Sequence, residues 1–393
     1  MEKFCFYCPT EIIFGRGTEE QTAVYVRKHG GHRVLLVYGG GSVVKSGLLD
    51  RIRHNLEQHQ IAYSLFGGAR ANPTLQHARE GVAAGLAFQA DFILGIGGGS
   101  AIDTAKAIAH GVANPETDIW NFWEGSQTVQ KSLPVGAVLT IPAAGSETSS
   151  SAVLTNTEVS RKKGLSTDLN RPVMAIMNPE LTYTLPPYQV ACGITDIMMH
   201  TLDRYFNPID NELTDAIAEA LLRTTIASGR AAMQDSHDYA AMSELMWAGS
   251  LSHNGLTGLG GQADFAVHQL GHELSAAFDT AHGASLATIW DAWARYVCPA
   301  KPSRFARYAR NVWGLTGGSE EELALAGIEK TVAYFAAIGM PTRFAENRDI
   351  GIQSDSTLQQ LAYRCSFEHT RTIGSFRILD EDDILQIYRT ANS

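Results

Sequence analysis

Two apolar runs, Val34-Leu-Leu-Val-Tyr38 and Phe92-Ile-Leu-Gly-Ile96, pass without a break into Gly39-Gly-Gly-Ser42 and Gly97-Gly-Gly-Ser100. A short β-rich run that ends in glycine and is followed by a helical pattern is the first half of a βαβ unit. A chain with two such junctions is expected to build a parallel sheet. Further candidate strands lie at 10–14, 62–66, 137–141 and 173–177, beside those at 33–38 and 92–96. Apolar residues at helical spacing fill 47–59 and 75–88, with Thr74 placed to cap the second segment after Pro73.

Glycine at a strand-to-helix junction lets the backbone approach a phosphate, and the helix start offers free N–H donors and a favourable dipole. One such loop could equally be a tight turn with no ligand; two in one sheet point to a nucleotide. The usual G-x-G-x-x-G fingerprint is not met, because Val44 and Ile102 stand where the last glycine would be. After Tyr38, the positions where an NAD enzyme carries an acid for the ribose hydroxyl are Gly39, Gly40, Gly41 and Ser42, and the next acid is Asp50. Ser42 and Lys45 could accept a 2′-phosphate instead, so NADP(H) is expected over NAD(H); the plain alternative for Lys45 is a solvated surface lysine. A third small polar loop, from Thr140 through Ser146, follows a strand end, where ligands sit in open α/β sheets.

At 393 residues the chain exceeds what one core usually holds, so two domains are expected. Asn178-Pro179 and Leu185-Pro-Pro187 punctuate it, and the expected domains are 1–183, α/β and nucleotide-binding, and 184–393, all-helical. Helical patterns at 212–229, 239–254, 283–296, 302–313, 320–338 and 357–364 support the second. A net charge of -10 with scattered Lys and Arg argues against nucleic acid as a partner. No stretch reaches the roughly 18 apolar residues of a membrane span. The start, Met1-Glu-Lys-Phe-Cys-Phe-Tyr, lacks a basic region followed by an apolar run, so a cytoplasmic protein is expected. Cys5, Cys8, Cys192, Cys298 and Cys365 are an odd set with wide gaps, unlike a disulfide framework; Cys5 and Cys8 form C-x-x-C, but the second pair that a structural zinc site needs is absent, and none is given a role.

The helical half carries the chemistry. Asp196 and His200 lie four apart, which puts both on one helix face, and His268 and His272 repeat that spacing. His282 follows just before Gly283. Ligands drawn from facing helices are a known way to build a metal site in a bundle, whereas a single histidine on such a face would more often be a packed core residue.

Taken together, Gly97-Gly-Gly-Ser-Ala-Ile-Asp103-Thr-Ala-Lys106, Pro142-Ala-Ala-Gly-Ser-Glu147, the Asp196/His200 pair and His268-x3-His272-x9-His282-Gly resemble the iron-containing (group III) alcohol dehydrogenase family. The likeness is nearest to its butanol dehydrogenase and NADPH-dependent aldehyde reductase branch. That resemblance implies a dehydroquinate-synthase-like fold, an α/β nucleotide domain followed by a helical domain, and a homodimer. It implies metal ligands at Asp196, His200, His268 and His282. His272 would stand outside them, as a proton relay or nicotinamide-placing residue, with a structural histidine as the alternative. It also places cofactor contacts on Gly39, Gly40, Gly41 and Ser42, on Gly97, Gly98, Gly99, Ser100 and Asp103, and on Thr140 and Ser146.

The implied reaction is hydride transfer between NADP(H) and a small neutral alcohol or aldehyde, with one divalent ion, Fe(II) or Zn(II), polarising the substrate oxygen. Two rivals remain: a dehydroquinate synthase-like or glycerol dehydrogenase-like metalloenzyme of the same fold, and a non-catalytic NADP(H)-binding metal sensor. The scarcity of Lys and Arg around the histidines, with Arg204 the nearest, disfavours a phosphorylated substrate.

Overall fold

In the computed structural model, residues 1–159 and 161–393 are described, and they divide into two compact units. The first is α/β and comprises Tyr7–Leu185 with Ser236–Asn254; the second is helical and comprises Met1–Phe6, Pro186–Asp235 and Gly255–Ser393.

The α/β unit begins β1 (Glu11–Phe14), α1 (Thr22–Lys28), β2 (Arg33–Gly39), α2 (Ser42–Lys45), α3 (Leu48–Gln58), β3 (Ala62–Ala69) and α4 (Leu75–Phe88). It continues β4 (Phe92–Gly97), α5 (Gly99–Ala113), α6 (Trp120–Glu124), β5 (Val135–Leu139), β6 (Ser151–Asn156), β7 (Arg161–Ser166) and β8 (Met174–Met177). Six strands form one parallel sheet in the order β1-β8-β5-β4-β2-β3, the six expected from the sequence. Parallel strands are covered on both faces, which is why β4 and β5 are buried at every position and read as continuous apolar runs. The Thr74 hydroxyl accepts the His77 amide and caps α4 as expected.

Between β2 and β4 the order of connection reverses: the chain goes outward from β2 to β3, then returns across β2 to β4. Open α/β sheets bind ligands beyond the carboxyl ends of strands at such a switch point. Both triple-glycine loops lie there.

The antiparallel hairpin β6–β7 was not anticipated. Its first strand continues directly from the small polar loop that ends at Ser151, and its alternate residues Ala152 and Leu154 are buried against Trp120, Phe122 and Trp123.

Past Leu185 come α7 (Pro187–Tyr205), α8 (Glu212–Gln234), α9 (Tyr239–His253), α10 (Ala266–Phe278), α11 (His282–Val297), α12 (Pro302–Trp313), α13 (Glu320–Ala337), α14 (Asp355–Cys365) and α15 (Glu381–Ala391). Of these, α9 belongs with the α/β unit, where Met246 packs on Ile102, Ala137, Leu139, Ala175 and Met177. A single cut near 183 does not capture that exchange, because a helical pattern shows that a helix forms, not which core it covers. No described helix is long and apolar enough to cross a membrane.

Helix α7 is the spine of the helical unit, buried almost all round from Val190 to Tyr205. Its C-terminal end is pinned by Arg304 of α12, which donates to the Tyr205 carbonyl (2.9 Å from Nε) and pairs with Asp215 of α8, all within the buried core. A helix fixed at its end and along its length can aim side chains reproducibly.

Candidate active site

Asp196 and His200 stand one turn apart on α7, and His268 and His272 one turn apart on α10. His282 is the first residue of α11. The turn between α10 and α11 is tight: Asp279, at φ 52°, ends α10 in the left-handed conformation, and α11 starts three residues later. Gly283 is dictated by the approach of α11 to α7. A Cβ there would lie 2.3 Å from the Cys192 carbonyl oxygen and 2.7 Å from its Cα, backbone atoms that cannot turn aside. Glycine therefore lets the start of α11 press against α7 and brings His282 to Asp196.

Three ring nitrogens surround one carboxylate oxygen. Asp196 Oδ1 is 3.4 Å from His200 Nε2, 3.7 Å from His268 Nε2 and 3.7 Å from His282 Nε2. These separations are too long for hydrogen bonds. They are close to the spacing of about 3.4 Å between donors that each sit about 2.1 Å from one tetrahedral ion. Asp196, His268 and His282 form the tightest group, with ligand atoms all within 4.8 Å of one another, and His200 joins through Asp196, its ring 4.3 Å from that of His268.

Two buried atoms of this cluster, Asp196 Oδ1 and His268 Nε2, have no hydrogen-bond partner. A buried carboxylate oxygen and ring nitrogen left so are costly unless a cation satisfies them. The donor set therefore fits a divalent ion, and three nitrogens with one carboxylate suit Zn(II) and Fe(II) alike.

The His272 ring lies 6.2 Å from that of His268 and 5.3 Å from that of His282, half-buried on the side of α10 facing the cluster. Arg204, the nearest cation in the sequence, donates from Nη1 to the His200 carbonyl at 2.7 Å and stacks its guanidinium 4.7 Å from the Phe265 ring centroid. Burial lowers it to about 10, against the pull of the Asp203 charge.

The sequence reading gave Asp203 no role. It lies seven residues after Asp196, on the same face of α7, and its Oδ2 is 2.5 Å from His268 Nδ1. Burial opposes charge on His268, yet the carboxylates of Asp203 and Asp196 outweigh it and raise the imidazole from 6.5 to about 9. Nearby Asp264 is pushed up to about 6, by burial first and then by the like charge of Asp203. The i, i+4, i+7 spacing of Asp196, His200 and Asp203 was the available signal.

In the α/β unit the loops fall at the carboxyl edge of the sheet. Gly39 ends β2, Gly40 and Gly41 follow it, and Ser42 and Lys45, the first and last residues of α2, are exposed. Gly97 ends β4, Gly98 caps α5, and Gly99 and Ser100 are its first turn. Thr140 follows β5 and donates its amide to the Gly97 carbonyl at 3.0 Å, so the second and third loops are stitched together. Gly97 has φ 149°, and a Cβ there would meet Ala101 Cβ at 3.0 Å.

Asp103 and Ser146 face each other beneath these loops: the Ser146 hydroxyl donates to Asp103 Oδ1 at 2.5 Å, and the Val153 amide donates to Oδ2 at 2.9 Å. Lys106, wholly buried, donates to Ser146 Oγ at 2.9 Å and to the Ser151 carbonyl at 2.7 Å. Burial pushes the lysine down to about 8, with Asp103 and Glu147 opposing, and pushes the Asp103 carboxyl up. This network ties the loop from Thr140 to the start of β6. Lys106 was visible in the motif, but only the fold shows what it holds.

Residues 9–179 match the family model for iron-containing alcohol dehydrogenase, and residues 190–392 match that for the C-terminal part of the Fe-containing alcohol dehydrogenase family. The chain is 37% identical over 392 residues to NADH-dependent butanol dehydrogenase A of Clostridium acetobutylicum, covering 99% of each. It is 35% identical over 361 residues to the NADPH-dependent aldehyde reductase YqhD of Escherichia coli, covering 91% of each. The crystal structure of an NADH-dependent butanol dehydrogenase A from Thermotoga maritima superposes with a TM-score of 0.96 at 33% identity, covering 100% of this chain and 99% of that one. Both halves match in order and along nearly their whole length, and the chain belongs to the iron-containing alcohol dehydrogenase family.

Proposed function

We propose that this protein is a metal-dependent, NADP(H)-linked alcohol dehydrogenase or aldehyde reductase acting on small neutral substrates of the butanol–butanal kind. The observation that carries the reading is the convergence of three histidine nitrogens on Asp196 Oδ1 within a helical unit of this family. Asp196, His200, His268 and His282 would hold the ion. When bound, the ion supplies Lewis acidity at the substrate oxygen and the dinucleotide gives or takes the hydride.

The chain's own residues do the rest. The amides at the start of α5 and the glycine backbone at 39–41 and 97–99 bind the phosphates of the dinucleotide. The network of Asp103, Ser146 and Lys106 holds the loop from Thr140 in shape. His272 carries a proton on its imidazole nitrogen between the substrate hydroxyl and solvent. NADP(H) is preferred because no acid follows β2 and Ser42 and Lys45 are exposed there; relatives with either nicotinamide are known, NADH for the butanol dehydrogenases and NADPH for YqhD.

A phosphorylated substrate is disfavoured because Arg204 is engaged with the His200 carbonyl and Phe265. A homodimer, with the exposed Phe4 and Phe6 as surface a second copy would cover, completes the proposal.

The test is NADPH oxidation with butanal by metal-stripped protein, with and without added Zn(II) or Fe(II). Turnover restored by metal is expected. Nucleotide binding with no turnover under either metal would leave a sensor, and the enzymatic reading would fall.

A further inference from the structure

We infer that Asp203 is a positioning residue for the metal centre, fixing both the rotation and the proton placement of His268 so that Nε2 presents its lone pair to the ion. The inference rests on the ligand set proposed above. A neutral imidazole carries one proton, on one nitrogen or the other. With Asp203 Oδ2 at 2.5 Å from Nδ1, the proton belongs on Nδ1 and Nε2 is left as the donor. The contact is sheltered from water: the Asp203 side chain is 1% exposed and that of His268 is 4%. His268 Nε2, with no hydrogen-bond partner, lies on the far side of the ring, 3.7 Å from Asp196 Oδ1.

Asp203 is itself held in place. Its carbonyl accepts the Asp264 amide at 2.7 Å, just ahead of α10, and the Asp264 carboxylate accepts from the amides of Ala266, Ser375 and Phe376. The chain before α10 is thus tied by its backbone to Asp203, while the Asp203 side chain reaches His268 one turn into that helix. The two bonds set the register of α10 against α7, and Phe265, edge-on at 5.5 Å, limits the swing of the His268 ring. A carboxylate behind a ligating histidine orients the ring and raises its basicity toward the metal.

The experiment uses the full-length chain, stripped and reloaded with Co(II), whose visible absorption reports ligand geometry. Asp203→Asn keeps the shape and removes the charge. Its affinity for Co(II) should fall by about 10- to 100-fold with a displaced absorption band and an unchanged far-UV circular dichroism spectrum. Asp203→Glu keeps the charge and moves it by one methylene; it should recover affinity to within a few-fold while the band stays displaced.

Wild-type affinity together with a wild-type band in Asp203→Asn overturns the inference. Should that variant fail to fold, the same result in Asp203→Glu overturns it. His268→Ala separates the two claims. If it binds Co(II) like the wild type, the ligand set is wrong. If it loses Co(II) while Asp203→Asn keeps wild-type affinity and spectrum, only the role of Asp203 falls.

Discussion

The histidine-bearing helices that would hold the metal and the glycine loops that would hold the nucleotide are built on opposite principles. At the first, side chains supply the donor atoms and the backbone is ordinary helix: Asp196, His200, His268 and His282 leave α7, α10 and the start of α11, and three ring nitrogens lie within 3.7 Å of Asp196 Oδ1. At the second, backbone is what the loops present, with Gly97 in a conformation and a space that a Cβ would strain. The difference teaches what each site can lose. A side-chain site fails by truncation, and a backbone site fails by addition.

Truncation should have the largest effect. His282→Ala removes a nitrogen from the tightest group without disturbing the fold around Gly283, and His282 is the most exposed of the three, its side chain 25% accessible. Metal retention and turnover should be lost together, while NADPH binding in the absence of substrate stays at the wild-type level. Metal content by elemental analysis and NADPH fluorescence titration check the two halves. Full activity of this variant in metal-free buffer would remove the distinction between the sites.

Addition should cost less but strike the other unit. Gly97→Ala forces an L-residue to φ 149° and puts its methyl against Ala101 at the first turn of α5. Strain of this kind costs about 1–3 kcal/mol, and here it falls on the loop that would cradle the phosphates. NADPH affinity should drop by about tenfold or more, with the thermal midpoint lowered and Co(II) affinity untouched. A variant that binds NADPH normally would show that the loop is a turn and nothing more.

The same contrast explains what was legible in the sequence. Glycine runs after apolar runs, and histidines at helical spacing, are local patterns, and both survived into the structure: all six parallel strands formed, and Asp196, His268 and His282 converge. What was missed depends on partners distant in sequence. Asp203 matters through His268, sixty-five residues away, and Lys106 through Ser146 and Ser151, forty and forty-five away. The hairpin β6–β7 hid because its apolar face is small, Ala152 and Leu154 with Leu165 beside them, against tryptophans of α6. The placement of α9 hid because an amphipathic pattern does not name the core that it covers.

The smallest effect should come from an exposed side chain beside the first glycine loop. Lys45 is exposed one turn beyond Gly41, and its Nζ lies 4.0 Å from where a Gly41 Cβ would be, so the ammonium hangs over the first glycine loop. If it meets a 2′-phosphate, the pair is solvent-screened and is worth about 1 kcal/mol, equivalent to about fivefold in affinity. Lys45→Ala should weaken NADPH by that factor and leave NADH unchanged, and the difference should shrink as salt is raised. Equal loss for both nucleotides would mean that the lysine serves the loop and not the phosphate. A higher kcat/KM with NADH than with NADPH in the wild-type protein would go further: the lack of an acid after β2 would then set no preference, and the choice of nicotinamide would have to be sought elsewhere in the α/β unit.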